Sequence, residues 1–178
     1  MGMLPKGYKR PVMGQYVKLE QGNNVLRILD QPIFGWEGWA GERGTQNRKP
    51  VRKETKDAFA PGEVMVGPDN RIKYFWAMPV WNYAANCVQV WQITQGTIMD
   101  GITVLDNNTK WGDPREYDLC IVKEGEGMET DYKVMPEPKS PLAQDAHEAW
   151  EKVKAAGFNI KALFTGGDPF APDADIPF

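Results

Sequence analysis

Histidine and cysteine are scarce in this chain of 178 residues: one histidine, His147, and two cysteines, Cys87 and Cys120. Four nitrogen or sulfur ligands cannot be assembled at zinc spacing from so few, so no metal is expected. One histidine and no serine elbow leave nothing from which to build a hydrolase triad. The Gly166-Gly167 pair is not followed by GK[ST], which removes a phosphate-cradling P-loop. Asp113, Glu116 and Asp118 surround an Asp-Pro dipeptide and read as turn chemistry rather than a metal nuclease. No enzyme, cofactor or small-molecule substrate is therefore expected. Both cysteines lie among apolar, strand-like neighbours and read as buried free thiols of a reducing compartment, with a disulfide left open.

Long apolar runs are also lacking, so no membrane span is expected. Residues 1–14 are basic but lack the apolar stretch of a secretion signal. They read as a disordered arm, and the protein as cytoplasmic.

Aromatic residues are plentiful at 11%, with seven tryptophans. A core absorbs some of them, and the rest are free to form a working surface. Net charge is −3, but it is unevenly spread. Residues 1–83 hold 13 lysines and arginines against 8 acids, residues 84–164 hold 8 against 13, and residues 165–178 hold three aspartates and no base. A basic half with an acidic end suits a binding groove with a separate tail.

Alternation predicts strands over 16–19, 24–31 and 33–40. Residues 41–70 lose periodicity and read as a long loop. The run IKYFWAMPVWNY predicts a strand over 72–83, interrupted at Pro79, which belongs at an edge or bulge. A turn at 84–86 and a return strand over 87–93 complete a hairpin. Thr94 is placed to cap a helix over 95–106, with Ile98, Ile102 and Leu105 on one face. Strands follow over 117–123 and 128–135. A last helix has Ser140 as its cap, Pro141 at its first position and Gly157 as its stop. Strands, helix, then hairpin suit a mainly β, Greek-key barrel of the oligonucleotide-binding type with two or three short helices. A half-open β-sandwich fits the same string. The barrel is assigned to 15–164 and a flexible acidic tail to 165–178.

The tail ends in Asp173-Ala174-Asp175-Ile176-Pro177-Phe178. It resembles the terminal peptide of bacterial single-stranded DNA-binding proteins, although Ala174 stands where that family usually has an acid. The resemblance implies that Asp173, Asp175, Ile176, Pro177 and Phe178 dock onto replication or recombination proteins. An exposed ring and carboxylate suit a basic-rimmed apolar pocket. The body resembles phage-type single-stranded DNA-binding proteins. The matching stretches are NNVLRILDQPIFGWEGW, IKYFWAMPVWNY, QVWQITQGTI, WGDPREYDL and VKEGEGMETDYKV. That likeness implies an oligonucleotide-binding fold, binding of single strands without sequence preference, and work in phage replication or recombination inside a bacterial host. The structural zinc of some phage proteins has no ligands here. An RNA-binding barrel and a non-enzymatic protein-interaction adaptor are the alternatives.

Single strands are held by bases stacked on aromatic faces and by cations at phosphates. One face of the 72–83 strand carries Lys73, Phe75, Trp81 and Tyr83 and is taken as the stacking surface. The other, with Tyr74, Trp76, Met78 and Val80, is taken as core. Burial of both sets is the alternative. Trp36 and Trp39 beside Arg48, Lys49, Arg52 and Lys53 form the pattern of a strand-gripping loop, and Lys56 and Arg43 extend the charge. Arg27 lies between Leu26 and Ile28, pointing away from their face, toward phosphate or along the surface. Trp91 reads as core.

Overall fold

The computed structural model describes residues 2–3, 15–68 and 70–171. Among these residues seven antiparallel strands form one sheet: β1 (Gly22–Ile28), β2 (Ile33–Ala40), β3 (Lys49–Lys53), β4 (Lys73–Asn82), β5 (Cys87–Ile93), β6 (Leu119–Glu124) and β7 (Asp131–Pro136). Helix α1 (Gly96–Asp106) links β5 to β6, and α2 (Gln144–Ala155) follows β7. The strand order is β3-β2-β4-β1-β6-β7, with β5 on β4. The sheet is mainly β and antiparallel, as expected, but it is not closed, because β5 and β7 do not pair.

β4 organises the sheet. Its first half pairs with β2, its last residues pair with β1 on the same edge, and β5 takes the other edge. Pro79 stands where the partner changes. Its carbonyl accepts the Leu29 N–H at 3.0 Å, so the N–H that proline lacks would have faced the gap between β1 and β2. The alternation passes through Pro79 without a flip.

Both faces of the central strands are covered. On one, Leu26, Met78, Val80, Trp91 and Leu119 pack under the Ile98, Ile102 and Leu105 face of α1. Gly101 lets that helix lie close to β7, since a Cβ there would stand 2.8 Å from Val134 Cγ2. On the other, Trp81 and Val88 meet Ala146 and Trp150 of α2. Phe75, Ala77 and Val90 pack with Leu163 and Phe164 of the 3-10 helix Ile160–Thr165.

Several boundaries differ from the sequence reading. Residues 16–19 form no strand beyond a single bridge from Tyr16 to Val90. The supposed loop at 41–70 contains β3, whose pattern was hidden by lysines, Arg52 and Pro50. Proline and charge are normal on an edge strand. Gln95, not Thr94, stands at the start of α1, with no side-chain cap. α2 begins at Gln144 rather than at Pro141, because Ser140 is engaged elsewhere: its carbonyl accepts Arg27 Nη2 at 2.6 Å. The chain also stays packed beyond residue 164. Phe170 stacks edge-on against Phe158 with centroids 5.1 Å apart, and the Asn159 N–H donates to the Pro169 carbonyl at 2.9 Å. Asp173, Asp175, Ile176, Pro177 and Phe178 lie outside the described residues, as does most of the arm at 1–14.

Candidate nucleic-acid interface

The β2–β3–β4 ribbon extends past the part of the sheet that α1 covers. An 11-residue helix is only about 16 Å long. It reaches Met78 and Val80 and leaves the start of β4 uncovered on that face. Four aromatic side chains lie there. Register places Phe34 opposite Trp76 and Trp36 opposite Tyr74. Directly opposed residues on neighbouring strands share a face. Phe34 meets Trp76 edge-on with centroids 6.0 Å apart, and Trp36 lies tilted against Tyr74 at 5.2 Å. Phe34 is 51% exposed and Tyr74 38%. Trp36 and Trp76 are half-buried.

Cations flank this row. Lys53 is directly opposite Trp36 on the outer strand β3. The Lys56 ammonium sits 5.2 Å from the Trp36 ring centroid. Lys49, at the other end of β3, is exposed and opposite Ala40 on the same face. Lys53 is partly engaged by Glu63 at 3.1 Å. The Ala60 N–H and Lys53 together hold the Glu63 carboxyl below its ordinary value.

The remaining residues expected at the site go elsewhere. Phe75, at 0% exposure, is core. Gly35 makes this possible, since a Cβ there would stand 2.8 Å from Phe164 Cε1 and so keep Phe164 from closing over Phe75. Trp81, 3% exposed, is core beneath α2. The stacking face chosen from the sequence is thus buried at Phe75 and Trp81, with Lys73 and Tyr83 exposed at its ends, and the supposed core face, buried at Met78 and Val80, carries an exposed ring at Tyr74. The reversal arises because helices distant in sequence cover the second face.

Arg27 is 4% exposed and points inward on a polar cluster rather than at solvent. It pairs with Asp118 at 3.2 Å and donates through Nε to the Arg115 carbonyl at 2.8 Å. Tyr83 belongs to that cluster, its hydroxyl donating to Asp118 at 3.0 Å. Burial first, then Asp118, push its pKa up to about 12. Arg52 is half-buried and engaged, bonded to Glu37 and to Gln92 Oε1, each at 3.0 Å. Trp39 is covered by the Arg48 guanidinium, 4.8 Å from the ring centroid, and Arg48 is held by Asn70. Lys73 is exposed but opposite Glu37, on the reverse face of the ribbon. Of the residues chosen from sequence, Trp36, Lys49 and Lys53 share the aromatic face. Lys49 and Lys53 also line, with Arg52, Tyr16 and Phe164, a cleft of about 620 Å³ along β3. Phe34, Tyr74 and Trp76, the other three rings of the row, were not among the residues chosen from sequence. The signal available was the tyrosine itself, whose hydroxyl sits poorly in an apolar core.

Cys87 and Cys120 are free thiols, and burial raises the pKa of both. Among the described residues no His, Cys, Asp and Glu group could hold a metal ion, and no helix is long and apolar enough to cross a membrane. Comparison with protein-family models, with curated proteins and with solved structures returned no match.

Proposed function

We propose that the protein binds single-stranded DNA without enzymatic activity, laying bases on the Phe34, Trp36, Tyr74 and Trp76 row with phosphates toward β3. The observation that carries this reading is the row itself: two exposed rings and two half-buried ones, side by side, with Lys49, Lys53 and Lys56 at one edge. Aromatic platforms with flanking cations grip single strands irrespective of sequence, since every base offers a π-face. The connectivity supports the same class. The path β5-β4-β1-β6-β7, with α1 between β5 and β6, is compatible with an oligonucleotide-binding type of topology, although the sheet is open. The acidic tip resembling that of bacterial single-stranded DNA-binding proteins adds the recruitment of replication or recombination proteins.

A gel shift with labelled single-stranded DNA, duplex DNA and RNA tests the reading, with single-stranded DNA expected to bind best. Raising salt should weaken it with a log–log slope of about −0.7 per phosphate contact, and Lys53→Ala should flatten the slope by about that amount. Preference for RNA points to an RNA-binding barrel. Binding to none of the three leaves a protein-interaction adaptor.

A further inference from the structure

The aromatic row does not end at Phe34 and Trp76. Both rings also line a cavity of about 490 Å³ between the β1–β2 bend, the covered face of β4 and the second half of α1. That volume lies within the roughly 300–1,000 Å³ of small-molecule sites. Its walls are apolar, with Ile28, Met78 and Ile102 beside the two rings. Its polar lining is acidic, with Asp30, Asp106 and Asp113 near one cation, Arg115.

These groups are not equally occupied. Asp113 is taken by Arg115, whose Nη2 lies 2.6 Å from Oδ2, and that bond holds the Asp113 carboxyl below its usual range. Asp30 accepts the Gln31 N–H with Oδ1. Asp106 enters no hydrogen bond or ion pair among the described residues and acts on Arg115 only through space. It is the last residue of α1, where a carboxylate opposes the helix dipole. Against that dipole its carboxylate gains only the through-space attraction to Arg115.

We propose that this cavity takes one unstacked base of the bound strand and favours guanine. The inference rests on the strand-binding reading and adds a base preference to it. A phosphate is repelled by three carboxylates around one guanidinium. A flat base suits the slot between rings and aliphatic walls. Ionised carboxylates only accept hydrogen bonds. Guanine offers adjacent N1–H and 2-amino donors to such an acceptor, and its O6 to a guanidinium. Thymine offers a single N–H between two carbonyls, which meet the carboxylates unfavourably.

The test compares three strands by fluorescence anisotropy: all-thymine, the same with one central guanine, and the same with hypoxanthine, which lacks the 2-amino group. Guanine should raise affinity about tenfold, and hypoxanthine should lose most of that gain. Asp106→Ala removes the open acceptor. Thr103→Trp, at an exposed position lining the cavity, obstructs it. Both variants should bind all-thymine strand as the parent does while showing no guanine preference. Equal affinity of the parent for all three strands overturns the proposal, leaving the acidic cavity to a cationic side chain of a protein partner. A preference that both variants keep overturns it as well. Failure to bind any strand is a different result, since it removes the proposed function itself.

Discussion

Phe75 and Tyr74 are neighbours with opposite fates, and the contrast yields a sharp test. Tyr74 faces solvent on the ribbon, whereas Phe75 lies under Phe164 with ring centroids 6.3 Å apart. Phe34→Ala and Tyr74→Ala should each weaken strand binding by about 1–3 kcal/mol. Their denaturant midpoints should barely move. Phe75→Ala and Trp81→Ala should instead each cost about 3–5 kcal/mol of folding stability, because they empty a packed core. Urea titration beside anisotropy separates the two classes, and a crossed result would refute the assignment of faces. Tyr83 gives a test in pH. Its phenol has a pKa near 10.0 when unperturbed and about 12 when folded, through burial and the bond to Asp118. The folded state therefore holds this proton more tightly than the unfolded chain. Its contribution is complete below pH about 10 and is lost as pH rises toward about 12. Tyr83→Phe should keep its stability across that window where the parent loses some. Parallel alkaline decline in both proteins would show that the phenol is not responsible.

Elements with both a clear period and local punctuation were legible from sequence. β2 and β5 match the predicted 33–40 and 87–93, and α1 starts one residue later than predicted. β3 was not legible, because an edge strand of alternating charge and proline carries no apolar period. The coverage of β4 on its second face was not legible either. It depends on α2 and the 3-10 helix Ile160–Thr165, about 70 to 90 residues further along the chain, and nothing local in IKYFWAMPVWNY encodes their arrival. Phe75 and Trp81 were chosen through this one error of face, while Trp36, Lys49 and Lys53 were grouped because β2 was read as a strand beside a basic segment, although that segment was read as a loop. At the same scale, α1 and β7 touch through Gly101. Alanine is ordinarily the better helix former by about 1 kcal/mol. Here its Cβ would stand 2.8 Å from Val134 Cγ2 and 2.9 Å from Val134 Cβ. Gly101→Ala should therefore destabilise, by about 1–3 kcal/mol, as overpacked sites do. Adding Val134→Ala should recover part of that loss. Stabilisation by Gly101→Ala alone would mean that the helix and strand do not meet so closely.

Charge at the scale of the molecule has two parts, and they bear on the tail. The cations of residues 1–83 include Lys49, Lys53 and Lys56 at the aromatic row, whereas residues 165–178 contribute three aspartates and no base. In sequence, residues 172–178 hold two prolines and two aspartates, poor material for a packed core, so the melting temperature of a chain without them should match that of the full one. What their removal takes away is Asp173, Asp175 and the Phe178 ring, the groups that resemble a partner-docking tip. Capture of replication or recombination proteins should then be lost. Strand affinity should stay equal or rise slightly at low salt, since acids on the same chain compete with phosphate for exposed lysines. That rise should fade with added salt, because the Debye length shrinks from about 30 Å at 0.01 M to about 8 Å at 0.15 M. The measurement is a pulldown with both chains beside strand titrations at two salt concentrations. Undiminished capture by the truncated chain would disconnect the tip from partner binding, and loss of strand binding on truncation would move the DNA contact from the ribbon to the tail.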